Sequence, residues 1–383
     1  MLKKLLLLSL ITIQSVSAQS NDQQLIKWFA GADIVGTTAD SDSELETDFY
    51  VREFEFSAYS AIDHTWNGVL TLAYHKELEA NEEHMEIHEA FIQSSKLFNL
   101  STLKIGKFFM GFGRINKFHR HDWSFTDAPF VQKAFFGNEG SKGTGMEFHR
   151  NLPSMTSTIT FGITKGDEFN HTEHGDEEEA GEHSHSESAK APTGYIRFAK
   201  FFESSTTEGS EIGLNYISRT DSESVHSQYA GIDFIYKKRT GRFISQLIQA
   251  ELWTKTSRKE HDDEVESNNE QGVYIYYQYG KDRHHSYGLR LDYFNADPMH
   301  EEGAAEEHHH SVDGMTIEKE FSSLTVNYTY TNSEFMRTRF SLEHGQGLTI
   351  EDAHDDHEHE DETYTKASIQ FVFSIGAHPA HVY

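Results

Sequence analysis

The sequence predicts an all-β protein: a transmembrane antiparallel up-and-down β-barrel of about 16 strands, with 18 as the other count the pattern allows, carrying long His/Asp/Glu-rich extracellular loops. Three observations predict it. Apolar and polar residues alternate with period two, the links between strands are alternately short and long, and aromatic residues gather on the strands and at their ends.

The elements follow in chain order. Residues 1–18 contain Lys3 and Lys4, an apolar run from Leu5 to Ile13 and the small-residue pattern Val16-Ser17-Ala18. That is the form of a secretory signal peptide cut after Ala18, leaving 19–383 as the barrel. No later segment approaches the roughly 18 consecutive apolar residues of a membrane helix, so any crossing must be made by strands. In Met155 to Thr164, Met155, Ile159, Phe161 and Ile163 share one face, and Thr156, Thr158, Thr160, Gly162 and Thr164 share the other. A strand with one greasy and one polar side results. The same holds for Ile212, Leu214 and Tyr216; for Tyr287, Leu289, Leu291 and Tyr293; and for Leu324, Val326, Tyr328 and Tyr330. The closing strand alternates Ile369, Phe371, Phe373 and Ile375. Residues 324–344 read as one long strand projecting beyond the membrane.

Short links fall at 96–100, 151–154, 204–209, 238–241 and 281–285, and long ones at 111–143, 165–192, 257–270, 297–311 and 345–362. In a meander every second connection lies on the same side, so the long links share one side of the membrane. A soluble sandwich would hide its apolar face in a core and has no need of aromatics at strand ends. With 28 Phe, 17 Tyr and four Trp, the girdles of an outer-membrane barrel are the better match. The expected location is therefore the outer membrane of a Gram-negative cell, with membrane lipids and the barrel assembly machinery as partners. A homotrimer is the expected assembly for a porin of this size, and no nucleic-acid partner is expected.

Charge is concentrated. The formal net charge is −29, and the segments 165–190, 258–270, 297–310 and 351–362 hold 28 acidic residues against four basic ones, together with 12 of the 25 histidines. The rest of the chain is near neutral, which excludes an acidic disordered protein. The chain has no cysteine, so imidazole and carboxylate are the available metal ligands. That donor set suits Zn²⁺, Ni²⁺ or Cu²⁺. The candidate ligands are His171, His174, His183 and His185; His300, His308, His309 and His310; and His354, His357 and His359. They lack the fixed spacing of a closed site, so they would collect metal weakly and release it. A hydrated acidic surface alone would not require histidine. His84 and His88, in EEHMEIHEA, form a further pair that a strand start accommodates equally well.

The link 111–143 has no acidic run and is rich in aromatics, among them Phe112, Phe118, Trp123 and Phe125, which would be costly to leave in water. A loop of this kind is expected to fold into the lumen and narrow it. Arg114, Lys117, His119, Arg120, His121, Asp122 and Asp127 would then set the selectivity.

The run IGKFFMGFGRINKFHRHDWSFTDAPF resembles the strand and loop of the phosphate-selective porin O/P type of barrel. With the terminal FSIGAHPAHVY and the His/Glu loops, it also resembles a group of short zinc-regulated outer-membrane receptors. The resemblance implies an outer-membrane channel linked to zinc or another divalent metal. Because the acidic loops oppose an anion-selective role, phosphate is not carried over. The expected function is thus a porin that concentrates and admits divalent metal ions, needing no cofactor and catalysing no reaction. A second class is a non-conducting surface protein that buffers metal or adheres, with the barrel as its anchor; a third, a barrel hydrolase, would need a positioned nucleophile, and no one serine is singled out.

Overall fold

A computed structural model describes residues 26–41, 44–77, 82–166, 169, 191–222, 224–261, 264–296, 310–312, 315–350 and 363–376. Its strands are β1 (Lys27–Ser41), β2 (Glu44–Ala61), β3 (Asn67–Glu77), β4 (Glu82–Ser94), β5 (Ser101–Phe109), β6 (Lys142–Leu152), β7 (Ser157–Thr164), β8 (Ala191–Ser205) and β9 (Glu208–Thr220). They continue as β10 (His226–Thr240), β11 (Ile244–His261), β12 (Glu264–Gly280), β13 (His285–Ala296), β14 (His310–Val312), β15 (Met315–Ser333), β16 (Met336–Ile350) and β17 (Thr363–Gly376). Helix α1 (Phe130–Phe136) lies in the long β5–β6 link.

Each barrel strand pairs antiparallel with its neighbours, and β1 closes on β17 from Phe29↔Gly376 to Ser41↔Tyr364. β13 pairs directly with β15, so the three-residue β14 stands outside the ring and the barrel has 16 strands. Closure leaves no unpaired edge, which is the condition for strands to lie in hydrocarbon. The period-two reading is realised side chain by side chain. Phe161, Ile163, Ile212, Leu214, Tyr287, Leu289, Leu291, Leu324 and Val326 are exposed on the outer surface, while Thr160, Asn215, Arg290, Asp292, Thr325 and Asn327 are buried inside. An apolar exterior around a polar interior is the reverse of a soluble protein. The chain is an outer-membrane barrel.

Three expectations about strand limits are corrected. Residues 324–344 are two strands rather than one: β15 turns back at 334–335 and pairs with β16 from Ser333↔Met336 onward. This turn is short and falls on the same side as the other short turns, so the alternation of short and long links is kept. Residues 257–270 are a hairpin rather than a loop, since β11 and β12 stay paired out to His261↔Glu264. Acidic residues are tolerated there because the strands have left the membrane. For the same reason β16 continues to Ile350, into the expected loop 345–362.

Two strands of the β1–β5 wall carry bulges. Asp33 pairs with Glu53 and Ile34 with Val51, so Arg52 has no partner across the ladder. Thr71 pairs with Glu89 and Leu72 with Ile87, so His88 is the extra residue of β4. A bulge places two successive side chains on one face. Arg52 and Glu53 are accordingly both buried, as is His88, with Glu89 beside it on the inner face.

Candidate metal centre in the lumen

The link between β5 and β6 folds inward. Its base is knitted by Asn116, whose side-chain amide donates to the Met110 and Ser141 carbonyls at 2.9 and 3.1 Å and accepts from the Ser141 N–H at 2.7 Å. Gly113 sits at φ +60°, where a Cβ would lie 2.7 Å from the Glu251 carboxylate. Its N–H donates to Asn215 on the facing wall at 2.8 Å.

Across the lumen, wall side chains donate to the loop's backbone carbonyls. Arg52 reaches Thr126 O at 2.9 Å, Arg290 reaches Asp127 O at 2.6 Å, Tyr276 reaches Ser124 O at 3.0 Å and Arg339 reaches Trp123 O at 3.0 Å. The Asp127 carboxylate adds ion pairs to Arg52 at 2.8 Å and Lys366 at 3.1 Å. Burial alone would raise the Asp127 carboxyl, but Lys366 and Arg52 outweigh it and hold it well below the usual carboxylate range.

One flank of the loop is apolar. Phe112, Phe135 and Phe136 pack among Tyr195, Tyr229, Trp253 and Phe294 of β8–β13, and Phe130 stacks on Phe321 with ring centroids 3.9 Å apart. These rings point into the lumen and are covered only because the loop lies on them.

The other flank faces β2–β4 and holds the side chains that could ligate a metal. Three groups of His/Glu donor atoms each converge within 4.8 Å: His75, Glu86, His88 and Glu139; Glu55, His88 and His119; and Glu53, Glu55 and His121. His75 and His88 approach through their Nε2 atoms at 2.7 Å, and Glu139 lies 2.6 Å from His75 Nδ1 and 3.1 Å from His88 Nε2. His119 Nδ1 lies 2.5 Å from one Glu55 oxygen and His121 Nδ1 lies 3.0 Å from the other. One oxygen of the buried Glu53 makes no hydrogen bond. The imidazoles form a row, with centroid separations of 5.3 Å from His84 to His75, 4.6 Å to His88, 6.0 Å to His119 and 5.5 Å to His121.

Electrostatics on the loop follow from this packing. Burial would push His119 and His121 down, yet the carboxylates around them prevail. Glu55 and Glu89 hold His119, and Asp122 and Glu55 hold His121, well above the ordinary histidine value. Glu139 is held well below the carboxylate range: burial opposes this, and His75, Lys142 and Arg120 outweigh it. Away from the cluster, burial and then Arg114 and Arg197 lower Lys117 to about 8.

Of the residues expected to line a constriction, His119, Arg120, His121 and Asp122 lie by the His/Glu groups. Arg114 and Lys117 face a separate cluster with Arg197, Glu211 and Asp233, and Asp127 belongs to the arginine anchors. His171, His174, His183, His185, His300, His308, His309, His354, His357 and His359 lie outside the described residues, and of His310 only the backbone, in β14, is described. Sequence reasoning missed Glu53, Glu55, His75, Glu86, Glu89 and Glu139, and His88 was noted only as a pair with His84. The signal was present in β2, where outward Phe54 and Phe56 dictate that Glu53 and Glu55 point inward.

Structural comparison matches the whole barrel. The anion-selective porin of Comamonas acidovorans aligns with a TM-score of 0.59 at 8% identity, over 92% of this chain and 100% of that one. The outer-membrane channel DcaP of Acinetobacter baumannii gives 0.61 at 8% identity over 94% and 100%. OprB of Pseudomonas putida gives 0.55 at 10% identity over 92% and 94%. At these identities the likeness is one of fold. In sequence, an uncharacterized protein of Aquifex aeolicus is 29% identical over 105 residues, 27% of this chain and 21% of that protein's length. No family model matches the chain. The barrel is porin-like in architecture, the level at which the resemblance read from its sequence holds.

Proposed function

We propose that the protein is an outer-membrane channel that concentrates and admits divalent metal ions, with zinc the best match to its donors. The observation that supports this most directly is the row of five imidazoles interleaved with Glu53, Glu55, Glu86, Glu89 and Glu139 between the inserted loop and the β2–β4 wall. Neutral imidazole and carboxylate bind borderline divalent ions, and overlapping groups that share Glu55 and His88 let an ion pass from one partial shell to the next. The row begins at His84, two residues from the loop-side end of β4. An ion collected by the acidic His-rich segments would meet it on entering. In this reading those segments supply electrostatic focusing, and the inserted loop narrows the lumen.

The experiment is zinc influx into proteoliposomes loaded with a zinc-sensitive dye, alongside swelling driven by a neutral sugar. The expected result is saturable zinc entry that His75→Ala/His119→Ala abolishes while sugar entry persists. Equal zinc entry in both proteins would overturn the reading. A second reading, a non-conducting metal-binding anchor, draws on the aromatic core packed between the loop and β8–β13. It predicts zinc bound with neither zinc nor sugar entering. OmpT, an outer-membrane protein of Vibrio cholerae with the same fold, forms a trimer, which supports expecting a homotrimer here.

A further inference from the structure

We propose that the four-ligand group His75, Glu86, His88 and Glu139 holds a resident divalent cation of the zinc class, and that this ion is a clasp fastening the inserted loop to the β3–β4 wall. Its occupancy then sets the width left open on that flank. This rests on the metal reading above and goes beyond it, because it separates an ion that stays from ions that pass.

The separation follows from ligand number. A structural zinc site is closed by four protein ligands, whereas a site with three keeps a position open for exchange. Two imidazoles and two carboxylates converge in the first group, but only three donors in each of the others. Ligand atoms around a tetrahedral zinc with bonds of about 2.0–2.1 Å stand about 3.3 Å apart. Among the atoms that face one another here the separations are 2.7 Å (His75 Nε2 to His88 Nε2), 2.9 Å (His88 Nε2 to Glu86), 3.1 Å (His88 Nε2 to Glu139) and 3.5 Å (His75 Nε2 to Glu86). The donors are already gathered at the scale of a zinc shell, and a few tenths of an ångström of spreading admits the ion.

Two further features point to a ligand. The His75 and His88 Nε2 atoms face each other at 2.7 Å across a single shared proton, a position a cation bound by both nitrogens would take over. His88 also has its outward-acting partner in place. Its Nδ1 lies 2.9 Å from Glu55, which leaves Nε2 as the metal-facing nitrogen. Carboxylate orientation of a metal-binding imidazole is the usual supporting arrangement in metal centres. The internal competitor is Lys142, whose ammonium lies 2.5 Å from Glu86 and 3.4 Å from Glu139. The incoming ion must displace it.

The clasp function follows from where the ligands come from. His75, Glu86 and His88 are on the wall, and Glu139 is on the returning arm of the loop, three residues before β6 begins. An ion here is therefore a cross-link between loop and barrel. The opposite flank needs none, being held by packed aromatic rings.

The test uses full-length refolded barrel. Zinc retained per chain is measured after dialysis, and potassium conductance is recorded in planar bilayers before and after chelator. One retained zinc per chain is expected, with conductance that rises on chelation and falls again when zinc is restored. Glu139→Gln should retain no zinc and conduct at the chelated level throughout. Lys142→Met removes the competitor without touching a ligand and should restore the narrow state at lower zinc concentration. Zinc retained with conductance indifferent to chelator overturns the clasp and leaves the transit reading intact. No retained zinc with influx persisting overturns the resident site alone, and loss of both defeats the parent reading as well. An unchanged zinc requirement in Lys142→Met overturns the site if Glu139→Gln does not fold.

Discussion

The two flanks of the inserted loop are fastened by opposite physics. Toward β8–β13 the loop is held by Phe112, Phe135 and Phe136 packed on Tyr229, Trp253 and Phe294, contacts that depend on neither proton nor ion. Toward β2–β4 it is held by His119, His121 and Glu139 set against Glu53, Glu55, His75, Glu86 and His88, where nearly every contact is charged or titratable. The first flank is permanent and the second is conditional. One loop can thus be fixed in place and still be adjustable along one side.

The strongest way to break this contrast is Phe136→Ala. Removing a fully buried ring from a packed core costs about 3–5 kcal/mol, so thermal unfolding should move down and channel recordings should become noisy irrespective of zinc. A variant with steady conductance that still responds to zinc would show that the apolar flank does not fix the loop. Next in size is Glu55→Gln on the other side. Glu55 orients His88 and is itself a donor beside His119 and His121, so its loss should weaken metal binding by at least the roughly 10–100-fold typical of losing an orienting partner. Zinc titration should report that loss with little change in thermal stability, and a stability loss equal to that of Phe136→Ala would erase the distinction between the flanks.

A smaller effect is expected from pH. The carboxylates hold His119 and His121 protonated well above the ordinary histidine value, so zinc must expel a proton from each. Acid therefore weakens binding, and affinity should keep rising as pH climbs above 7, where sites built on unperturbed imidazoles have levelled off. An affinity that is flat from pH 7 to 8.5 would count against these two histidines as ligands. The smallest effect belongs to the surface. Deleting 171–187 removes four histidines and seven carboxylates and should slow zinc entry only at low ionic strength, where focusing operates. Conductance of the loaded channel should be unchanged.

The barrel was legible because lipid imposes a single rule on every strand. Phe161, Leu214, Leu289 and Val326 advertise the outer face at a period of two, and the bulges at Arg52 and His88 interrupt that period without turning an outward residue inward. The hairpin at 257–270 was less legible because charge outside the membrane marks either loop or projecting strand. The inserted loop was recognisable from its unsheltered aromatics. Most of the ligand cluster was not, for a physical reason: its members come from β2, β3, β4 and two separate stretches of the loop. In sequence His75 stands 64 positions from Glu139, and only barrel curvature and loop insertion bring them together. Dense histidine elsewhere drew attention to 171–187 and 354–360, while single histidines spaced along strands looked ordinary.

The two bulges give the β2–β4 wall its chemistry by insertion rather than replacement. Delete residue 88 and β4 alternates without interruption, with Glu86 inward, Ile87 outward and Glu89 inward; delete residue 52 and β2 does the same through Val51 and Glu53. Each extra residue therefore adds a charged or ligating side chain to the lumen and leaves every lipid-facing residue where it was. A barrel of this kind can acquire or lose an internal binding group through the gain or loss of one codon, with the membrane none the wiser. In an alignment of related chains, that history would appear as a gap one residue wide.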